Sequence, residues 1–166
     1  MKRASRILLF LLIFVGINNG VFAQRKVVFA DSVCAPIYKL GDSLLAYSTF
    51  YKGKVIGHNE YAVFMECKLN VPGALRTYYN CAEVKGAPLQ LNLVYGENLT
   101  KTAASELYDK VVKRYQTCTK GNWTDLDTKD TRACMTYLKE VLNLSIKTML
   151  TKDSKNYSVV VELYVE

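Results

Sequence analysis

Five stretches of the chain have the pattern of β-strands: 61–69, 75–84, 89–95, 144–150 and 157–165. In all but the second, apolar and polar side chains alternate with a period of two, which indicates one buried face. The second follows the Pro72-Gly73 turn as the return strand. Short turns separate the first three, so we expect an antiparallel meander, and a polar turn at 153–156 makes the last two a hairpin. The last stretch also has Val160 and Tyr164 on its second face, which predicts a central or covered strand.

Two other stretches place apolar residues at steps of three and four, which predicts amphipathic helices. The first has Ile37, Leu40, Leu44, Tyr47 and Tyr51, and the second has Ala104, Leu107, Tyr108, Val111, Tyr115 and Cys118. Pro36 suits a first helical turn, and Gly53 is the expected stop. Gly41 weakens the first stripe, so the alternative is a helix that starts at Asp42 as its N-cap. Thr102 is the expected N-cap of the second helix.

The stretch 134–142 fits a helix and a strand equally well. We therefore predict an α+β protein with a single domain, in which two or three helices pack on an antiparallel sheet of about five or six strands. The predicted order is α-β-β-β-α-(α or β)-β-β. This order resembles, in topology alone, the folds of type III secretion chaperones and the helix-on-sheet plan of cystatin-like folds; no sequence motif of either family accompanies it.

The amino terminus has the pattern of a secretory signal peptide at 1–23. Basic residues precede an apolar run at 7–15, and Val21-Phe22-Ala23 provides the small side chains of a cleavage site. The alternative is an uncleaved membrane anchor, but the apolar run is short for a bilayer span. Cleavage predicts an exported protein, periplasmic or extracellular, with 24–166 as the single domain, a lead-in at 24–33 and no stable membrane anchor.

Charge and composition exclude nucleic acid as an expected partner. The whole chain has a net charge of +7, and the signal peptide holds three of its 22 basic residues and none of its 15 acidic ones. The processed chain is therefore mildly basic, at +4. Its lysines and arginines are scattered and form no basic block, unlike those of a typical nucleic-acid-binding surface.

Five cysteines remain after cleavage, at positions 34, 67, 81, 118 and 134. In an oxidising compartment most should pair, which leaves one thiol over. Cys118 and Cys134 flank a polar loop, so we predict a disulfide between them. The alternative for each cysteine is an apolar core side chain. No pair has the C-x-x-C spacing of thiol oxidoreductases.

Candidate catalytic chemistry is sparse. The single histidine, His58, lies in a polar turn and has no nucleophile motif near it. The loop containing Asp125, Asp127 and Asp130 looks like a calcium loop, but it has Lys129 at a ligand position and lacks the required glycine. We predict no cofactor and no metal. The enzyme alternative is a small hydrolase or metal-dependent enzyme that uses His58 or these three aspartates.

Tyrosine is the most unusual feature of the composition, with twelve in the chain. Tyrosine is enriched at binding surfaces because its ring is large, rigid and amphipathic. The candidate partner contacts are Tyr78, Tyr79, Tyr108, Tyr157 and Tyr164. We therefore expect an exported non-enzymatic binding module for a protein or peptide partner, with an envelope inhibitor or immunity-type protein as the alternative. The sequence leaves homo-oligomerisation open.

Overall fold

The computed structural model describes residues 32–46, 48, 50–82, 89–119, 121–139, 141–150 and 155–165. Several predicted features lie outside these residues: the signal peptide at 1–23, the lead-in up to residue 31, Tyr47 of the first helical stripe, a turn at 85–87 and the first half of the turn at 153–156.

The described elements form two similar blocks, each a helix followed by four strands. The elements are α1 (Cys34–Leu45), β1 (Lys52–His58), β2 (Ala62–Cys67), β3 (Arg76–Ala82), β4 (Gln90–Leu99), α2 (Lys101–Gln116), β5 (Thr124–Asp125), β6 (Ala133–Lys139), β7 (Leu142–Leu150) and β8 (Tyr157–Val165). The α+β class is confirmed. The strand count is not: the described residues form eight strands, in place of the five or six predicted, together with two helices.

The extra strands lie where the alternating pattern is weak. Nothing in the sequence at β1 or β5 predicts a strand, and the ambiguous stretch at 134–142 forms β6. β1 and β5 are the two edges of the sheet. Val55 and Ile56, the apolar side chains of β1, are largely exposed, and β5 has two exposed residues. An edge strand that buries little needs no alternating stripe, so the sequence does not reveal it.

All eight strands form one antiparallel sheet in the order β1-β2-β3-β4-β8-β7-β6-β5. Each block consists of a helix followed by four strands, and the blocks meet where β4 pairs with β8. The sheet order is therefore symmetric about this central pair. The predicted meander and hairpin are present, and β8 is central as expected.

The core lies between the two helices and one face of the sheet, which we call the inner face. Ile37, Leu40 and Leu44 of α1 join Tyr108 and Val111 of α2 in one buried cluster. The inner face contributes alternate residues of the central strands: Leu91, Leu93, Tyr95, Leu142, Leu144, Ile146, Val159, Val161 and Leu163. Burial of this continuous apolar surface is the main force that holds both helices on the sheet.

The ends of the helices differ from the sequence-based expectations. α1 runs unbroken through Gly41 and ends at Leu45, and Gly53 lies inside β1. A Cβ at Gly41 would stand 2.5 Å from Leu142 Cδ2, so the glycine permits close approach of α1 to β7. For α2, Thr100 replaces Thr102 as the N-cap, and its Oγ1 accepts the Ala103 N–H at 3.3 Å.

The structure also pairs Cys118 with Cys34, in place of the predicted partner Cys134. The two Cα atoms are 5.0 Å apart, because the start of α1 lies beside the end of α2. Tyr38 reinforces this junction, with its hydroxyl donating to the Cys118 carbonyl oxygen at 2.7 Å. Cys134 is instead a buried free thiol in the core cluster. Cys67 and Cys81 are also free.

Gly96 allows β4 and α2 to pack closely, and its replacement should be costly. A Cβ at this position would stand 2.6 Å from Leu107 Cδ2 and 2.7 Å from Leu99 Cδ1. We expect G96V to lower the free energy of unfolding by about 2 kcal/mol, because the larger side chain overpacks the contact. Urea denaturation measures the effect. The control is G57V on β1, where the nearest atom is 3.7 Å away and little change is expected. Equal effects at both glycines would contradict the packing argument.

Candidate functional site

The structure divides the five candidate tyrosines between the core and the surface. Tyr79, Tyr108 and Tyr157 are 0 %, 3 % and 9 % exposed and belong to the core cluster. Burial raises the pKa of Tyr79 and Tyr108 above the ordinary value of tyrosine. Tyr78 and Tyr164 are only partly buried, and both lie on the face of the sheet opposite the helices. Of the five candidate partner contacts, only Tyr78 and Tyr164 are therefore accessible to a partner.

We call the sheet face opposite the helices the second face. Its residues alternate with those of the inner face, so Asn92 and Val94 point away from the core that contains Leu91 and Leu93. Val94 pairs directly with Val160 across β4 and β8. Both valines are buried, yet neither belongs to the cluster that packs against the helices. The second face is thus a separate surface with its own apolar centre.

Polar and aromatic side chains form a line across the second face, at right angles to the strands. We call this line the amide row; its residues, directly opposite one another on β2, β3, β4, β8, β7 and β6, are Phe64, Asn80, Gln90, Tyr164, Asn143 and Tyr137. Three of the six side chains are primary amides, and the other three are aromatic. Such a mixture offers both hydrogen bonds and stacking surfaces to a partner.

Two ion pairs lie on and beside the second face. Lys147 and Glu162 form an ion pair at 2.7 Å between Nζ and Oε1. Arg76 pairs with Glu97, and its guanidinium lies 5.5 Å from the centre of the Tyr78 ring. These pairs leave the centre of the face close to electrically neutral. Glu66 of β2, directly opposite Tyr78, is exposed and forms no ion pair with any described residue, so the β2 end of the face has a negative charge.

Asn143 is the most unusual residue of the amide row. Its side chain is 0 % exposed, and neither its Oδ1 nor its Nδ2 has a hydrogen-bond partner in the part of the chain that the structure describes. Asn80 is partly exposed, but its Oδ1 is buried and likewise has no hydrogen-bond partner among the described residues. By contrast, Gln90 Nε2 donates to Asn92 Oδ1 at 3.3 Å. A buried amide without partners is costly to the fold, which points to a role other than stability.

Replacing Asn143 with an apolar side chain of similar size should therefore stabilise the protein. We expect N143L to raise the free energy of unfolding by about 1–3 kcal/mol, since it removes an uncompensated buried amide. Chemical denaturation of the processed protein measures this change. The matched control is N92L, which removes an amide that does accept a hydrogen bond and should give no such gain. A less stable N143L variant would mean that the amide is satisfied in solution.

A pocket of about 300 Å³ lies at the β1–β3 end of the second face. Its lining includes Ile56, Glu66, Leu75, Arg76 and Tyr78. The Tyr78 ring is held by an edge contact to Phe64, with 5.9 Å between the ring centres. Tyr78 of the pocket thus contacts Phe64 of the amide row, and the pocket is large enough to accept a side chain of a partner.

The residues of the enzyme alternative do not come together. His58 ends β1 and Asp125 lies in β5, so these residues occupy opposite edges of an eight-stranded sheet. Seven strand spacings separate the edges by about 34 Å. Asp127 accepts the Ala133 N–H at 2.8 Å, and Asp130 is exposed. Among the described residues, no three His, Cys, Asp or Glu side chains are grouped as metal ligands.

The acidic loop instead helps to fasten α2 to β6. Arg132, just before β6, pairs with Asp109 of α2 at 2.8 Å and faces Asp127 at 3.9 Å. Its guanidinium also lies 4.5 Å from the centre of the Tyr108 ring and donates to Ser105 Oγ at 2.9 Å. The cluster therefore has a structural explanation, and all of its charges are partly exposed.

Sequence reasoning missed Asn80 and Asn143. Both alternate with apolar residues in their strands, so they look like ordinary solvent-facing positions. Only their burial and missing partners distinguish them, and these depend on the neighbouring strands. No family model, curated protein or solved structure matches this chain. No helix among the described residues is long and apolar enough to cross a membrane.

Proposed function

We propose that this protein is an exported, non-enzymatic binding module that takes a protein or peptide partner on the second face of its sheet. The observation that carries the proposal is the fully buried amide of Asn143, which has no hydrogen-bond partner among the described residues and lies within a row of amide and aromatic side chains. A partner that donates and accepts hydrogen bonds at these buried polar groups would remove the free-energy cost of leaving them unpaired. Tyr78 and Tyr164 then act as partner contacts, as tyrosines commonly do.

Export is supported by two independent features. The first is the signal-peptide pattern at 1–23, and the second is the Cys34–Cys118 disulfide, since disulfides form mainly in oxidising compartments. The partner is then a protein or peptide of the periplasm or the extracellular space. An envelope inhibitor or immunity-type protein is one form of this proposal, in which the partner is an enzyme or toxin.

Site-specific photocrosslinking in the native host tests the proposal. A photoreactive phenylalanine analogue replaces Tyr78 or Tyr164 on the second face, and Leu126 serves as the control because it is exposed on the β5–β6 loop. We expect a crosslinked species above the processed monomer from the first two positions and none from Leu126. Mass spectrometry identifies the captured chain, and a second copy of this protein would show a homo-oligomer. The proposal fails if the second-face positions give no more product than Leu126.

A further inference from the structure

We infer that the amide row binds the main chain of an extended, uncharged segment of the partner, laid across the strands of the sheet. This inference rests on the proposed function and specifies the chemistry of the partner. It follows from three properties of the row: the spacing of its unpaired amides, the groups that they present and the neutrality of their surroundings.

The spacing of the unpaired amides fits a short extended segment. Asn80 is on β3 and Asn143 on β7, with Gln90 of β4 and Tyr164 of β8 between them. Three strand spacings put the two asparagines about 14 Å apart. An extended chain covers about 3.3 Å per residue, so about four residues bridge this distance. One segment can therefore reach both asparagines.

The unpaired groups are those that recognise a peptide bond. A primary amide has an oxygen that accepts and an NH₂ group that donates, which together complement the N–H and C=O of a main chain. Within the described part of the chain, both functions of the Asn143 amide and the oxygen of the Asn80 amide have no hydrogen-bond partner. Such contacts recognise the backbone in any sequence. Selectivity for particular partner side chains then depends on the pocket beside Tyr78 and on the aromatic residues of the row, Phe64, Tyr164 and Tyr137.

The charge of the surface determines what kind of segment fits. Lys147 and Glu162 are paired with each other, and Arg76 is paired with Glu97. A charged segment would have to break these pairs or bury a charge without compensation, which is costly. The segment is therefore uncharged where it crosses the central strands β4, β8 and β7.

Access to Asn143 requires a neighbouring side chain to move, because the amide is fully buried. Its cross-strand neighbours in the row are Tyr164 and Tyr137, and the Tyr137 side chain is 50 % exposed. Exposed side chains change rotamer within nanoseconds, so rotation of Tyr137 is no barrier to binding. After rotation, the ring can pack on the bound segment.

The test selects ligands for the processed protein, residues 24–166, from a displayed library of random linear peptides. The selected peptide is synthesised, and its affinity is measured for the wild type, N80L, N143L and the control N122L. Asn122 is exposed and lies in the loop before β5, away from the amide row. We expect each row variant to bind roughly tenfold more weakly or worse, and N122L to bind like the wild type. Denaturation of N143L confirms that this variant is folded.

A second measurement distinguishes main-chain recognition from side-chain recognition. In the same peptide, each amide bond is replaced in turn by an ester, which removes one N–H donor. We expect at least one ester to weaken binding to the wild type and to have a much smaller effect on N80L or N143L. This non-additivity is the signature of a direct contact.

The outcomes separate this inference from the proposed function. If N80L and N143L keep full affinity while Y78A and Y164A lose it, the inference that the amide row binds the main chain is wrong and the proposed function stands. If no second-face variant affects binding, or no peptide is selected, both are overturned. Selection of charged peptides only would also overturn the inference.

Discussion

Removal of the Cys34–Cys118 disulfide is expected to lower the free energy of unfolding by about 4 kcal/mol. The bridge joins residues 84 positions apart, so it excludes many open conformations from the unfolded chain. The chain-entropy treatment of such a large loop gives a value near the upper end of the usual range. The bridge also joins α1 to α2, the helices of the two blocks. Urea denaturation of the C34S/C118S variant measures the effect.

The matched control for this experiment is C81S, because Cys81 is a partly buried free thiol. We expect it to change stability far less than C34S/C118S does. Reduction of the wild type with dithiothreitol should reproduce most of the loss seen in C34S/C118S. If the reduced and oxidised wild type unfold at the same urea concentration, Cys34 and Cys118 are not bridged in solution, and one of the two arguments for export is lost.

Replacement of Tyr115 with alanine should have a comparable effect, a loss of about 4 kcal/mol. Tyr115 is 0 % exposed, and its ring meets the Tyr95 ring edge-on, with 6.1 Å between their centres. The two hydroxyl oxygens are 2.8 Å apart in a buried hydrogen bond. Burial raises the pKa of both tyrosines, that of Tyr95 to about 12 and that of Tyr115 well above its ordinary value, so both hydroxyls are neutral at ordinary pH. Y115A would leave a cavity between α2 and β4 and take a partner from the Tyr95 hydroxyl.

A companion variant separates the two contributions. Y115F keeps the ring and removes only the hydroxyl, so we expect it to cost about 1 kcal/mol. Y61A is the control, because Tyr61 is 67 % exposed and its removal should leave stability essentially unchanged. We expect chemical denaturation to show the largest loss in the free energy of unfolding for Y115A, a smaller loss for Y115F and essentially none for Y61A. A Y115A variant as stable as Y61A would contradict the described packing of α2 on the sheet.

The elements that the sequence predicts well are those that bury a complete stripe. β4, β7, β8 and both helices contribute side chains to the core, so their periods appear directly in the sequence. The sequence of β6 fits a helix as well as a strand, because its most buried positions are Cys134 and Thr136, residue types that are weak markers of burial. β1 bears no stripe, since an edge strand can leave Val55 and Ile56 in solvent.

The candidate site was less accessible to sequence reasoning than the fold. Tyrosine content alone cannot separate Tyr79, which is in the core, from the adjacent Tyr78, which is on the second face. The alternation places the two on opposite faces, but it does not say which face the helices cover. Asn143 shows the same limit, because its missing partners depend on β6 and β8 and not on its own strand.

By itself, the sequence determined the α+β class, the antiparallel pairing of neighbouring strands, both helices and the pattern expected of an exported protein. These are local properties, which follow from residue periodicity, turns and the amino-terminal segment. Only the tertiary structure decided that β4 pairs with β8, that Cys118 meets Cys34 and that Asn143 is buried without a hydrogen-bond partner among the described residues. The first two join residues distant in the chain, so they depend on how the two blocks pack together. The burial of Asn143 depends on the side chains that the neighbouring strands β6 and β8 place beside it.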